Sequence, residues 1–343
     1  MNCVLAYPYG SALTTGRLKE QAADFKVTEN LGFEPSGEGE HLFLLVKKAG
    51  MSTHELIDAI ARDFKLKPRD IGYSGLKDKL AVTQQWLSLH LPGQMHQFNM
   101  PEIDAYTILQ QSWHHRKLKP GTHRTNSFEV IVRNLEGFTE DTERQINAIK
   151  SAGMANYFGQ QRFGERLDNV SRALQIFSNP RKTRKLSRNK KGIYLSSLRS
   201  HLFNQILSSR IDSGYWQEPI EGDVYMLSGS QSIFYEALND DIRNRYKSFD
   251  LSSSASLFGD GNSKLADKAQ AIEEQVFSGH PEIVDCLRRL KAKLQMRPVR
   301  VAVEDLNVEY QEKEKTLLIK ATLPSGSYFT TLLDHFIDTR DRS

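Results

Sequence analysis

The period of the apolar residues changes twice along this 343-residue chain, and those two changes limit its architecture more than any other feature. From Asp24 to Glu29 apolar and polar residues alternate, the mark of a half-buried strand. A Gly-rich acidic turn, Ser36 to Glu40, leads to a second strand from His41 to Val46. Ser52 and Glu55 form a capping box, and Leu56, Ile57, Ile60 and Phe64 then recur on one helical face before Pro68 closes the region. Strand character resumes from Ala81 to Leu91, over 105–111 and over 126–133, where Phe128, Val130 and Val132 share a face. Near Thr139 helical spacing takes over, at 139–152, 165–178 and 195–211. Leu251 to Ser263, rich in Ser and Gly, reads as a loop; Ile283, Leu287, Leu290 and Leu294 give another helix, closed by Pro298. Alternation returns at 301–310 and 316–321 around a charged turn, as in a hairpin, and a short helix follows. Two strand-rich ends around a helix-rich middle predict an α+β chain whose first domain is discontinuous and carries an inserted one.

Charge is distributed unevenly within this frame. The net charge is only +4, which does not by itself call for nucleic acid. Yet eight Lys or Arg and no acid lie between Asn179 and Ser200, and Trp113 to Lys119 is a second basic knot. A one-signed block of that length is suited to an anion, with a solvated surface as its bland reading. Cys3 and Cys286 are far apart and make no CxxC, so no disulfide framework is expected. No apolar run approaches the roughly 18 residues of a membrane span, and the start lacks a basic signal-peptide region. The expectation is a cytoplasmic protein without membrane contact.

The chemistry is sought in Ile71 to Trp86. There a small turn, Ser74-Gly75, delivers a lone carboxylate, Asp78, between Lys77 and Lys79. Nearby cations keep such a carboxylate ionised, although Lys-Asp-Lys in a turn also suits a plain surface loop. Other candidates fail on spacing. Gly72-Tyr73-Ser74-Gly75 is one residue short of a hydrolase elbow, and Gly259 to Lys264 lacks the spacing of a phosphate loop. The ten histidines make no HExxH, and His114-His115 stand among cations, so neither a metal nor a cofactor is expected.

The stretch Gly75-Leu76-Lys77-Asp78-Lys79, with Ala81, Thr83, Gln85 and Trp86 after it, resembles the active-site motif of the TruD family of tRNA pseudouridine synthases. Four other places share the resemblance in order: Asp24-Phe25 with Val27 and Glu29, Asn126-Ser127-Phe128, Asn156 to Gly164, and Leu323-Pro324 through Gly326-Ser327-Tyr328. The match is poorest over 215–275. Tyr328 stands where several relatives carry Phe, and Leu80 where many carry His.

The resemblance implies a discontinuous catalytic domain with a mixed or antiparallel sheet, over 1–151 and 302–343, and an inserted α/β domain over 152–301. It implies isomerisation of a uridine in tRNA, position 13 of the D arm, to pseudouridine, with Asp78 as the catalytic aspartate and no cofactor. Phe25, Asn126, Phe128 and Tyr328 are the expected substrate contacts, with the Tyr328 segment closing the pocket. The cation beside Asp78 is left open among Lys77, Lys79 and Lys19. Arg181, Lys182, Arg184, Lys185, Arg188, Lys190 and Lys191 are expected to grip RNA phosphate. A monomer without an obligate protein partner is expected. Two rivals stand beside this: a non-catalytic RNA-binding protein on the same scaffold, and a nucleoside hydrolase, which would want paired carboxylates or a metal.

Overall fold

The structure, a computed structural model, describes residues 5–339. Cys3 lies outside them, and Cys286 is a buried free thiol. The chain opens with β1 (Thr14–Leu18), β2 (Phe25–Asn30) and β3 (His41–Ala49). Helix α1 (Thr53–Asp63) follows, its first turn closed by the Ser52/Glu55 capping box and its buried stripe formed by Leu56, Ile57 and Ile60. Then come β4 (Ile71–Tyr73), β5 (Val82–His90), β6 (Thr107–His114) and the long β7 (Thr125–Glu136). The middle of the chain holds α2 (Glu140–Ala152), β8 (Met154–Ala155), α3 (Asn169–Phe177), α4 (Pro180–Lys185), α5 (Arg188–Asp212), β9 (Val224–Leu227) and β10 (Ile233–Tyr235). It continues with α6 (Asp240–Lys247), β11 (Leu251–Leu257), α7 (Asp267–Gly279), α8 (Pro281–Arg289), β12 (Gln295–Pro298) and β13 (Arg300–Val301). The chain returns through β14 (Glu304–Gln311), β15 (Thr316–Pro324), α9 (Phe329–Leu333) and β16 (Ile337–Asp338).

Packing divides the described residues into two compact units. One comprises 14–139, 303–326 and 337–339, and contains a mixed ten-stranded sheet with the main order β14-β15-β7-β2-β5-β3-β6. β2 runs parallel to β5 and β1 parallel to β16; the other pairings are antiparallel. Leu42, Leu44 and Val46 on β3, with Leu87 and Leu89 on β5, pack on the apolar stripe of α1. That burial is the hydrophobic reason the alternating strands hold their register.

The other unit comprises 5–13, 140–302 and 327–336. Its core gathers Leu198, Leu202, Phe203 and Ile206 of α5 with residues of α3, α7 and α8, beside an antiparallel sheet ordered β10-β9-β11-β12. These are units of packing; the functional boundaries at 151/152 and 301/302 are a separate proposal.

Two sequence expectations are corrected in this unit. The stretch from Leu251, read as a loop, begins with β11, and Ser252, Ser253, Ser254 and Ser256 are all buried on it. Buried carboxylates meet this strand at two of its serines. Ser253 Oγ donates to Asp223 at 2.6 Å, and the Ser256 amide donates to Glu273 at 2.7 Å. The helix expected at 195–211 starts seven residues earlier, at Arg188, where Ser187 caps it by accepting from the Lys190 amide.

Candidate active site

The register of three strands assembles one polar patch on the ten-stranded sheet. Phe25, Val27 and Glu29 of β2 stand opposite Val130, Phe128 and Asn126 of β7, and Val27 stands opposite Thr83 of β5. Paired residues share a face, so Phe25, Glu29, Asn126, Phe128 and Thr83 line the same side. Phe25 is buried, and its ring meets half-buried Phe128 edge-on with centroids 6.2 Å apart.

The loop between β4 and β5 carries Asp78 and is held from beneath at almost every residue. Ser74 Oγ accepts from the His123 amide at 2.7 Å and lies 2.5 Å from His123 Nδ1. Gly75 leaves little room for a side chain, because a Cβ there would sit 3.1 Å from the His123 ring and 3.2 Å from Lys77 Nζ. The Lys77 amide donates to Thr53 Oγ1 at the start of α1, and Thr53 donates in turn to Gln85. Lys77 Nζ turns inward to Glu29 at 2.6 Å, with both side chains almost fully buried. Lys79 instead turns outward to Glu55 at 2.7 Å, an exposed pair.

The cation that reaches the Asp78 carboxylate is Lys19, at 2.5 Å. Lys19 follows β1 with φ +61°, in the left-handed region, which costs a side-chain-bearing residue about 1–2 kcal/mol. The turn after it is fixed by Asp24, which accepts two hydrogen bonds from Arg133 at 2.9 and 2.7 Å. Those bonds hold the Asp24 carboxyl below the usual carboxylate range. Lys19 Nζ also lies 4.4 Å from the centre of the Phe25 ring, within cation–π range. A fourth lysine, Lys48, is buried and donates to the Met51 carbonyl and, at 3.1 Å, to the backbone carbonyl of Asp78. Burial pulls Lys48 down to about 8, with the Asp78 charge opposing. The Asp78 side chain keeps 39% of its surface exposed at the centre of this fixed frame. A carboxylate so placed is presented to a reactant from a rigid support.

A polar chain continues behind the loop. His123 Nε2 is 3.1 Å from Asn126 Nδ2. Burial, reinforced by Lys77, lowers His123 to about 4, so its ring is neutral at physiological pH. Burial likewise raises the Glu29 carboxyl against the pull of Lys77. Glu29 Oε1, Asn126 Oδ1, Thr83 Oγ1 and Gln85 Nε2 are buried with no hydrogen-bond partner among the described residues. Buried unpaired polar atoms cost free energy, and they concentrate in this patch.

Tyr328 belongs to the other packing unit, where its hydroxyl accepts from Arg162 Nε and Nη2 at 3.1 and 2.7 Å. Its ring lies 6.2 Å from that of Phe158. The seven basic residues of the 181–191 block lie on α4 and at the start of α5, and all are exposed. Among the described residues, no group of three or more His, Cys, Asp or Glu is arranged to hold a metal ion, and no helix is long and apolar enough to cross a membrane.

Compared with known proteins, the chain matches the family model for tRNA pseudouridine synthase D (TruD) over residues 4–174 and 172–336. The chain belongs to the TruD family. A tRNA pseudouridine synthase D of Methylococcus capsulatus is 38% identical over 332 residues, covering 96% of this chain and 93% of the relative. The Colwellia psychrerythraea protein of the same name is 35% identical, covering 98% and 93%. A solved Methanosarcina mazei structure described as TruD superposes with a TM-score of 0.71 at 21% identity, covering 97% of this chain and 96% of that one, and so shares its fold.

Four members of the TruD-family patch were not singled out from sequence: Glu29, Lys48, Ser74 and His123. Glu29 carried a signal, since alternation in Phe25-Lys26-Val27-Thr28-Glu29 puts it on the face of Phe25. His123 carried none, being an isolated histidine in a turn.

Proposed function

We propose that this chain isomerises a uridine of tRNA to pseudouridine, at position 13 of the D arm, with Asp78 as the essential carboxylate and no cofactor. The observation that carries the reading is the half-exposed Asp78, ion-paired to Lys19 at 2.5 Å on a loop fixed from below. In the reaction the C1′–N1 bond breaks, the uracil turns over, C5 bonds to C1′ and the C5 hydrogen leaves as a proton. Atoms and oxidation state balance without a co-reactant. An ionised carboxylate suits either opening step, attack on the nucleoside or removal of a ribose proton to give a glycal. Lys19 sets a positive charge beside the Asp78 carboxylate. Phe128 and Tyr328 offer aromatic faces, each worth roughly 1–3 kcal/mol per stacked base. Phe25 supports Phe128 and Lys19 from within the core, and Asn126 meets the uracil edge.

The insertion domain over 152–301 grips phosphate through Arg181, Lys182, Arg184, Lys185, Arg188, Lys190 and Lys191. The protein works as a cytoplasmic monomer. Neutralising the seven cations lowers the slope of log affinity against log salt by roughly 0.7–0.9 for each phosphate that the protein no longer neutralises.

The test is a tRNA tritiated at uracil C5, whose label leaves only when C5 becomes the glycosidic carbon. Release by the native chain, none by Asp78→Asn, and no free uracil are expected. Tight binding without release would favour an RNA-binding protein, and free uracil would favour a hydrolase.

A further inference from the structure

Leu76 and Leu80 are the two most exposed large apolar side chains of the described residues, at 64% and 66%, and each lies two positions from Asp78. Their exposure is not slack in the loop. Ser74 and Ala81 at its ends are buried, Lys77 is tied by both amide and side chain, and Lys48 holds the Asp78 carbonyl. The same ties that turn Lys77 inward leave the two leucines facing water on either side of the carboxylate. An apolar side chain held in water beside a reactive group marks a contact surface. The cations around it, Lys19 at the carboxylate and the exposed Lys26, suit a polyanion.

We infer that Leu76 and Leu80 enter the RNA base stack beside the nucleoside on which Asp78 acts, filling the gap that the departing uridine leaves. The inference rests on the proposed isomerisation of a uridine within RNA. Rotating the uracil until C5 faces C1′ cannot occur while the base remains stacked between neighbours, so the nucleotide must leave the stack. Apolar wedges between base steps offset that unstacking in other nucleic-acid complexes. Two residues of extended chain span about 7 Å, so both leucines arrive with Asp78 at the steps on either side of the target.

The experiment compares native chain, Leu76→Ala/Leu80→Ala and Leu76→Met/Leu80→Met. The first substrate is tRNA, and the second is the same tRNA with an abasic nucleotide beside the target. On intact tRNA the Ala pair should lower kcat/KM by about 10- to 100-fold, and the Met pair should restore most of it. On the abasic tRNA the loss should be several-fold smaller, because one stacking neighbour is already gone. In parallel, 2-aminopurine beside the target should brighten on saturation with Asp78→Asn protein, and brighten much less when both leucines are also Ala. Equal losses on the two tRNAs, or equal brightening with and without the leucines, overturns the wedge while tritium release still upholds the isomerase. Brightening that depends on the leucines, with no tritium release by the native chain, upholds the wedge and overturns the isomerase.

Discussion

Lys19–Asp78 and Lys77–Glu29 are equally short, at 2.5 and 2.6 Å, and involve adjacent residues of one loop, yet water reaches only the first. Lys77 and Glu29 keep 6% and 0% of their side-chain surface, whereas Asp78 keeps 39%. A buried pair returns little net stability but is expensive to break, because the survivor is stranded as a lone charge. A half-exposed pair costs little to break and leaves its carboxylate available. The loop thus separates a buried pair from an open one, with one lysine turned in and one carboxylate turned out.

Breaking each pair should expose that separation, and the largest effect belongs to Asp78. Asp78→Asn should abolish tritium release by about 10⁴-fold or more while the thermal midpoint stays near that of the native chain. A matching collapse in stability would make Asp78 a structural residue. Glu29→Gln should do the reverse, lowering stability by about 3 kcal/mol in urea titration. Activity should return when saturating tRNA refolds the loop. Lys19→Met should lower kcat by about 10- to 100-fold; an unchanged kcat would remove Lys19 from the chemistry.

A subtler contrast lies in pH. The His123 ring is held at about 4, below the ordinary 6.5. As pH falls from 6.5 towards 4 the unfolded chain takes up the proton first, so stability should drop across that window and be unaffected above it. His123→Gln should flatten this part of a urea-midpoint profile against pH. The smallest effect is expected of Lys79→Ala, which removes only the exposed Glu55 pair. Its melting curve and its tritium release should both overlay those of the native chain.

Much of this could be read from the residues themselves. The alternation at 24–29 and 126–133 places two strands, and their faces bring Phe25 and Phe128 together. The Ser52/Glu55 box marks the start of α1, which ties down the Lys77 amide. What sequence does not display is pairing across distance. Lys19 is 59 residues from Asp78, and Ser74 is 49 from His123. No periodicity connects them. The serines of β11 were hidden for a related reason. Distant carboxylates partner part of that strand: Asp223 accepts from the Ser253 hydroxyl and Glu273 from the Ser256 amide. Hydrophobic patterning reports water-averse side chains and is silent about polar ones that find partners.

One consequence follows from where β15 falls in the chain. It lies beside β7 along eight residues, including the partners of Asn126 and Phe128, but it is synthesised only after the whole 140–302 segment. On a ribosome, the segments carrying Lys19, Asp78 and Asn126 emerge early and wait with one edge of β7 open. The Asp78 loop is thus made long before its sheet is complete. A chain interrupted anywhere before residue 316 would display that unpaired edge to its neighbours, where it would invite aggregation rather than RNA modification.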